Sequence, residues 1–451
     1  MFIRHPQGCL FFSLVTLKHT PMRFIWAVFL IRACLFFIDL IFCWKGILEA
    51  NGGRMKRFSE LTALLFVVLF LLASCTQYVF LPVNDFGNNG SDDTTPAPAY
   101  DWITESDGTG TDPYVLKTVD DILGFAVLVT AGNTFNGKTV ELVAGEVYDF
   151  GNVDDFDGIG YAIRMSSSAT AIVEPYKPFS GTFDGKGATI KNLTMVMDDT
   201  DANTDTATGF FNTVYRGTVK DIVFENCEVT SVTKHSGTAI GYALNSNVTE
   251  IIVRNSSVTA SQTAGGVIGC IFYRPIVADG DPASGQTFTT SDNHVYNVTC
   301  YATGANAGAI AGQYFGGYTL SGSSNSGTHV FSNNTAELNS GYTISATSAS
   351  GGLIGYGSFG HGKHQFHNNL IVIESAEQIV ARDNPTATGV RGYLIGSWPR
   401  ENMTGSGKWQ NNTAKVGEST YTILADAQNG TDPVPAPGAG EAYNDFAYAA
   451  E

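Results

Sequence analysis

The chain has 451 residues, a formal net charge of −17, 43% hydrophobic but only 15% charged residues, and 50 glycines. An acid excess of that size repels nucleic acid and anionic lipid headgroups, so neither is an expected partner of the surface. Long helical patterns are missing after residue 135, and the apolar runs there are short, rich in Val, Ile, Phe and Tyr, and bounded by Gly, Asn, Asp or Ser, which predicts an all-β protein.

The first element in chain order is a sorting signal. Met55-Lys56-Arg57 precedes the apolar run LTALLFVVLFLL, which ends in Leu72-Ala73-Ser74-Cys75. A basic start, a 12-residue apolar stretch and small residues before a cysteine match a lipoprotein signal peptide over 55–74, with Leu72, Ala73, Ser74 and Cys75 as the lipobox and Cys75 as the lipidated residue. Twelve apolar residues are too few to span a ~30 Å hydrocarbon core. Residues 1–54 are then either a mis-assigned extension upstream of a start at Met55 or a membrane helix over 24–44. The helix would carry Arg32 and Asp39 within the bilayer at about 2.5–3.5 kcal/mol each, which favours the extension. Residues 75–100, with GNNGSDDTTPAPA, read as a flexible tether. Beyond Cys75 only Cys227, Cys270 and Cys300 remain, without a CxxC pair, so disulfides are not the stabilising strategy.

A folded region is expected over 101–420. Thr118 three residues before Asp121, then Ile122, Leu123, Phe125, Ala126, Leu128 and Val129 at helical spacing, predict one amphipathic helix opened by a capping box. Such a helix is suited to cover the open end of a strand array, whose bare edge would invite association. Short strands follow at 139–143 and 146–150, then an acidic loop at 154–158, and the sharply patterned block FSGTFDGKGATIKNL at 179–193.

From there the chain repeats. A glycine frame reads GTAIG at 237–241, GGVIG at 265–269, GAIAG at 308–312, GGLIG at 351–355 and GYLIG at 392–396. Each is followed by an apolar-x-Asn phrase, ending at Asn255, Asn297, Asn333, Asn368 and Asn411, with a degenerate earlier copy at Asn226. The Asn spacings of 29, 42, 36, 35 and 43 indicate stacked coils with loops of variable length. In such a stack Val253, Val295, Phe331, Phe366 and Trp409 are expected to form one inward column. The Asn column two residues later would lie buried at a corner, where Asn tolerates left-handed φ, and the glycines would admit backbone where a Cβ would obstruct it.

The stretch GTGTDPYVLKTVDDILGFAVLV, the FSGTFDGKGATIKNL block and the later frames together resemble the GLUG-repeat family of bacterial exported proteins over roughly 108–416. The resemblance implies a right-handed parallel β-helix of the pectin-lyase-like kind, with the predicted helix as its N-terminal cap, and an adhesin-like surface role. Long inserts at 273–291 and 320–327 depart from the family pattern and blur the coil boundaries. The PVPAPGAG segment makes 421–451 a flexible tail.

Chemistry-bearing motifs are sparse. No HExxH, GxSxG or phosphate-binding glycine loop is present. Asp199, Asp201, Asn203 and Asp205 resemble half of a calcium loop, but Thr204 and Phe210 stand where such a loop needs Gly and Glu, so the loop fits a solvated acidic turn better. His361, His364 and His367 are spaced as a metal set only if a turn intervenes, and His329 aligns with His364 as a surface or corner ladder. Asp155, Asp157 and Asp184 are the carboxylates that could meet for glycan cleavage, although a turn also accounts for Asp184. Tyr301, Tyr314, Phe315, Tyr318, Tyr356 and Phe359 recur near the glycine corners; either they point inward as core or Tyr314, Tyr318 and Tyr356 form a strip that stacks on sugars or meets a protein. The expectation is therefore a lipid-anchored, exported scaffold at the cell surface or outer membrane, non-catalytic, without a cofactor, binding a glycan or a host or matrix protein. A polysaccharide lyase or hydrolase is the alternative.

Overall fold

The computed structural model of the chain describes residues 101–160, 164–165, 172–173, 177–197, 207–232, 234–273, 286–316, 328–359, 363–382, 390–397, 409–424 and 446–449. Parallel pairing dominates. Thr139–Leu142 pairs with Thr182–Lys191, which pairs with Thr218–Glu225, which pairs with Asn247–Ala260. The fullest coil runs through Thr287–Ser291, His294–Ala302, Asn306–Gly308 and Ala311–Gly316, and Thr328–Ser332 then lies beside its start. The described residues thus form a stack of coils, a parallel β solenoid, with neighbouring strands about 4.8 Å apart.

Two of its faces are six-stranded parallel sheets. The glycine frames join them in register, Gly237 against Gly265, Gly308, Gly351 and Gly392 in turn. Close approach requires the glycine here: a Cβ on Gly265 would overlap the Ile268 carbonyl and lie 2.7 Å from the Gly312 amide nitrogen.

The expected single apolar column divides into two. Val253 pairs with Val295, and that column continues through Ala336, Ile371 and Ala414. Phe331, Phe366 and Trp409 belong to another, which continues backward through Thr290 and Val248. The physical reason is that each coil turns two corners written in the same grammar. Asn192, Asn226, Asn255 and Asn297 occupy one corner with φ of 57°, 55°, 51° and 54°. Asp221, Glu250, Asp292, Asn333, Asn368 and Asn411 occupy the other with φ of 55°, 59°, 58°, 56°, 56° and 54°. The spacing of 36 between Asn297 and Asn333 crosses from one corner to the other.

The expected buried asparagine column is also displaced. Asn333, Asn368 and Asn411 form an exposed ladder, Asn411 Nδ2 donating to Asn368 Oδ1 and Asn368 Nδ2 to Asn333 Oδ1, both at 3.1 Å. The buried ladder is one residue further on, at Asn293, Asn334, Asn369 and Asn412, each at most 1% exposed. Each amide donates to the next, at 2.9, 3.1 and 2.9 Å, and also to a backbone carbonyl: Val248, Thr290, Phe331 and Phe366. Every oxygen of the ladder also accepts a backbone N–H from the preceding coil, beginning with Ile251 on Asn293. Full satisfaction is what permits amides at such depth.

The helix forms as Val119–Thr130, and Thr118 caps it with a complete capping box to Asp121. Its face of Ile122, Phe125, Ala126 and Val129 is buried, with the Phe125 ring 5.6 Å from Phe179 and 5.8 Å from Phe183. Parallel stacking stops at Asn412–Val416. Ser419–Leu424 folds back antiparallel on Asn412–Val416, and Phe446–Ala449 adds a further antiparallel strand. A strand therefore stands within 421–451, the segment expected to be a flexible tail. The short apolar run Phe446-Ala-Tyr-Ala449 forms that strand, whereas the proline-rich segment before it drew the opposite expectation.

Candidate functional site

The residue immediately after each glycine frame defines an outward column. Tyr242, Cys270, Gln313, Tyr356 and Ser397 pair in succession along one sheet. Its first members are covered, Tyr242 at 6% and Cys270 at 1% exposed, in a small apolar cluster with Leu244 and Phe272. From Gln313 onward the column opens, and Gln313, Tyr356 and Ser397 are half-buried.

A second column runs alongside it on the neighbouring sheet. His235, Thr263, Asn306 and Ala349 pair in succession. At its covered end the His235 ring lies 5.6 Å from Tyr242 and its Nδ1 is 2.7 Å from Thr263 Oγ1. Burial, with Lys234 adding to it, holds the His235 imidazole down to about 3, so it is neutral at pH 7. Where the column narrows to Ala349, a groove of about 280 Å³ opens, lined by Ala305, Asn306, Gln313, Ser348, Ala349, Tyr356 and Ser397.

No charged side chain is among those lining residues. Phe315 packs edge-on against Tyr356 with ring centroids 6.0 Å apart, which fixes the tyrosine ring at the groove wall. Among the described residues, no hydrogen bond engages the side chains of Asn306, Gln313 or Tyr356. The arrangement offers two amides and a phenol beside an aromatic face, which suits a neutral, hydroxyl-rich ligand.

The other candidate residues fare differently. Tyr314 turns inward and is 1% exposed, because strand alternation sends it opposite to Gln313, and its hydroxyl lies 3.1 Å from His364 Nδ1. It is core and not part of an outer strip. Tyr301 lies on another face, with the Arg382 guanidinium 4.0 Å above its ring. His329 and His364 do stack in register, at 5.1 Å, but inside the core at 2% and 1% exposed, against the expectation of a surface ladder. They fill the aromatic column between Tyr273, Tyr314 and Phe288. Burial, then the neighbouring His364, pushes His329 down to about 3.

Asp184 sits 5% exposed between two lysines, with Lys220 Nζ at 2.7 Å and Lys186 Nζ at 3.2 Å, and Lys186 also reaches Glu141. Burial alone would raise its pKa, but the hydrogen bonds from Lys220 and Lys186 outweigh it and hold the carboxyl below its usual range. An anion so committed is a register clamp rather than a proton donor. Asp155 is a left-handed turn residue, and the Asp157 carbonyl accepts from Asn212 Nδ2. Among the described residues, no three His, Cys, Asp or Glu side chains are grouped for a metal ion. Cys227, Cys270 and Cys300 are buried and free, with Cys227 raised to about 12 and the other two higher still by burial. The calcium-like residues Asp199, Asp201, Asn203 and Asp205, the lipobox Leu72 to Cys75, Tyr318, His361 and the 24–44 segment lie outside the described residues.

Sequence reasoning singled out Tyr356 but missed Gln313, Asn306 and Ser397. The signal was present: aligning the glycine frames places Gln313, Tyr356 and Ser397 at one repeat position.

No family model matches the chain. Over 210 residues it is 27% identical to halomucin of Haloquadratum walsbyi, a match covering 44% of this chain and only 2% of that relative's length. Among solved structures it is similar to a candidate immunoglobulin A1 protease from Bacteroides ovatus, at 19% identity and a TM-score of 0.44, over 74% of this chain and 84% of the other.

Proposed function

We propose that the chain is an exported, lipid-anchored β-helix that acts at the cell surface as an adhesin-like or structural binding scaffold and not as an enzyme. The observation that carries this reading is the outward column Gln313, Tyr356 and Ser397, whose polar and aromatic groups are not used by the core. A rigid stack presents such a column at fixed spacing, which favours recognition of an extended partner. The in-register glycine frames support kinship with GLUG-repeat proteins, and with it a right-handed coil. The contacts of Phe125 with Phe179 and Phe183 support the helix as the N-terminal cap. Commitment of Asp184 to Lys220 and Lys186 weighs against a glycan-cleaving carboxylate there.

The anchor reading rests on Leu72-Ala73-Ser74-Cys75 after its apolar run. Full-length chain expressed in a Gram-negative host is expected to incorporate a radiolabelled fatty acid and to partition into detergent, and Cys75→Ser is expected to lose both. Unlabelled wild-type chain would sink the anchor. The binding role is tested by probing glycan and matrix-protein arrays with the full chain; silence across both would remove it.

A further inference from the structure

Resting on the scaffold reading, we infer that the groove between Asn306, Gln313, Tyr356 and Ser397 is a saccharide subsite selective for neutral sugar units over uronic or sialic acids. Four observations converge on it. The groove is an open, shallow depression of about 280 Å³, wide enough for one or two sugar rings to lie against its wall. Its wall holds an aromatic ring, Tyr356, clamped by Phe315, and a pyranose presents a face of C–H groups that packs on such a ring. Its polar groups are the amides of Asn306 and Gln313 with the hydroxyls of Ser348, Tyr356 and Ser397, which pair with vicinal hydroxyls as both donors and acceptors.

The fourth observation is electrostatic. No lining residue is cationic, so a carboxylate entering the groove would lose water without gaining a counter-charge, while the chain as a whole carries −17. Exclusion of acidic sugars therefore follows from the same lining that admits neutral ones. The amide positions are also specific to this part of the stack. One coil earlier the corresponding places hold Thr263 and Cys270, and Cys270 is buried within the apolar cluster. The subsite opens where the covering of the column ends.

The test is isothermal titration of the full chain with neutral gluco-, galacto- and manno-oligosaccharides and with oligogalacturonate and sialyllactose. Saturable binding of at least one neutral series is expected, weakened about tenfold by Tyr356→Ala and severalfold by Gln313→Ala, as loss of one ring contact or one hydrogen bond implies. Tyr356→Phe, which keeps the ring and loses the hydroxyl, is expected to fall between wild type and Tyr356→Ala. Tyr301→Ala, on another face, is expected to bind as wild type. Unchanged melting temperatures exclude unfolding as the cause. Binding of only acidic sugars, or neutral binding undiminished in Tyr356→Ala, would overturn the subsite while leaving a scaffold that binds elsewhere. No saccharide binding, alongside capture of a matrix protein, would overturn the subsite alone, whereas silence toward sugars and proteins alike removes both.

Discussion

The first and last coils of this solenoid solve the same corner by opposite chemistry. In the early coils the position after the left-handed residue is apolar, Ile222 and Ile251, and the interior behind it is a cluster of Phe179, Phe183, Phe210, Phe211 and Phe224 in edge-on contacts such as Phe183 to Phe211 at 5.0 Å. In the later coils the same position is Asn293, Asn334, Asn369 and Asn412, and the rings beside it stack face to face, Phe331 on Phe366 at 4.7 Å and Phe366 on Trp409 at 4.6 Å. Dispersion is nearly indifferent to a small slip between coils. A ladder in which each amide must meet the next is not, so the later region has its register set by directional bonds as well as burial.

Asn369→Leu breaks that comparison most severely. It takes from Asn334 N its Asn369 acceptor and from the Phe331 carbonyl its side-chain donor, each at about 1–3 kcal/mol, and leaves Asn334 Nδ2 with only its bond to the Thr290 carbonyl. Ile251→Leu at the equivalent early position is expected to cost less than about 1.5 kcal/mol. Urea midpoints of the two variants measure the contrast, and equal losses would deny the ladder its role. Next comes Phe366→Ala, at about 3–5 kcal/mol by loss of a fully buried ring. Phe183→Ala should fall in the same range, since stacked and edge-on rings bury comparable surface.

A third, smaller effect is pH. His329 is neutral down to about 3, while the unfolded histidine protonates near 6.5. Below pH 6.5 the unfolded chain therefore binds a proton that the folded chain refuses. The stability due to the neutral ring is complete above 6.5 and declines as pH falls toward 3. Melting temperature measured across this window should drop, and His329→Phe should make the drop shallower. A steeper or unchanged slope in that variant would contradict the buried placement. Smallest of all is Asn368→Leu. Its side chain belongs to the exposed ladder and its φ is 56°, so about 1 kcal/mol is expected, mostly from placing leucine in a left-handed conformation. The ratio between Asn369→Leu and Asn368→Leu separates the two adjacent ladders.

That one-residue displacement shows where reading the chain succeeded and where it stopped. The glycine frames were legible because close backbone approach admits only glycine, and all of them fall in register. The capping box at Thr118 and Asp121 was legible because both partners lie within one helical turn. The corner asparagines were legible as left-handed residues, since φ is a local property. Which corner each occupied was not, because the same apolar-x-Asn phrase serves two corners and only pairing across about 40 residues distinguishes them, as in Asn333 Nδ2 to Asp292 Oδ1 over 41 positions. Tyr356 could be singled out as a candidate, but Tyr314 looked equivalent until strand direction turned it inward onto His364.

The amino-acid sequence by itself determined the all-β stacked architecture, the helix start, the glycine joints and the left-handed corners, because each depends on the conformational range of one residue or on contacts within a few positions. Tertiary structure alone decided which amides are buried, that His329 and His364 are core, and that Asn306 and Gln313 border one groove with Tyr356 and Ser397. Those outcomes rest on register between coils, where residues 35 to 45 apart become neighbours and a shift of one position exchanges inside for outside.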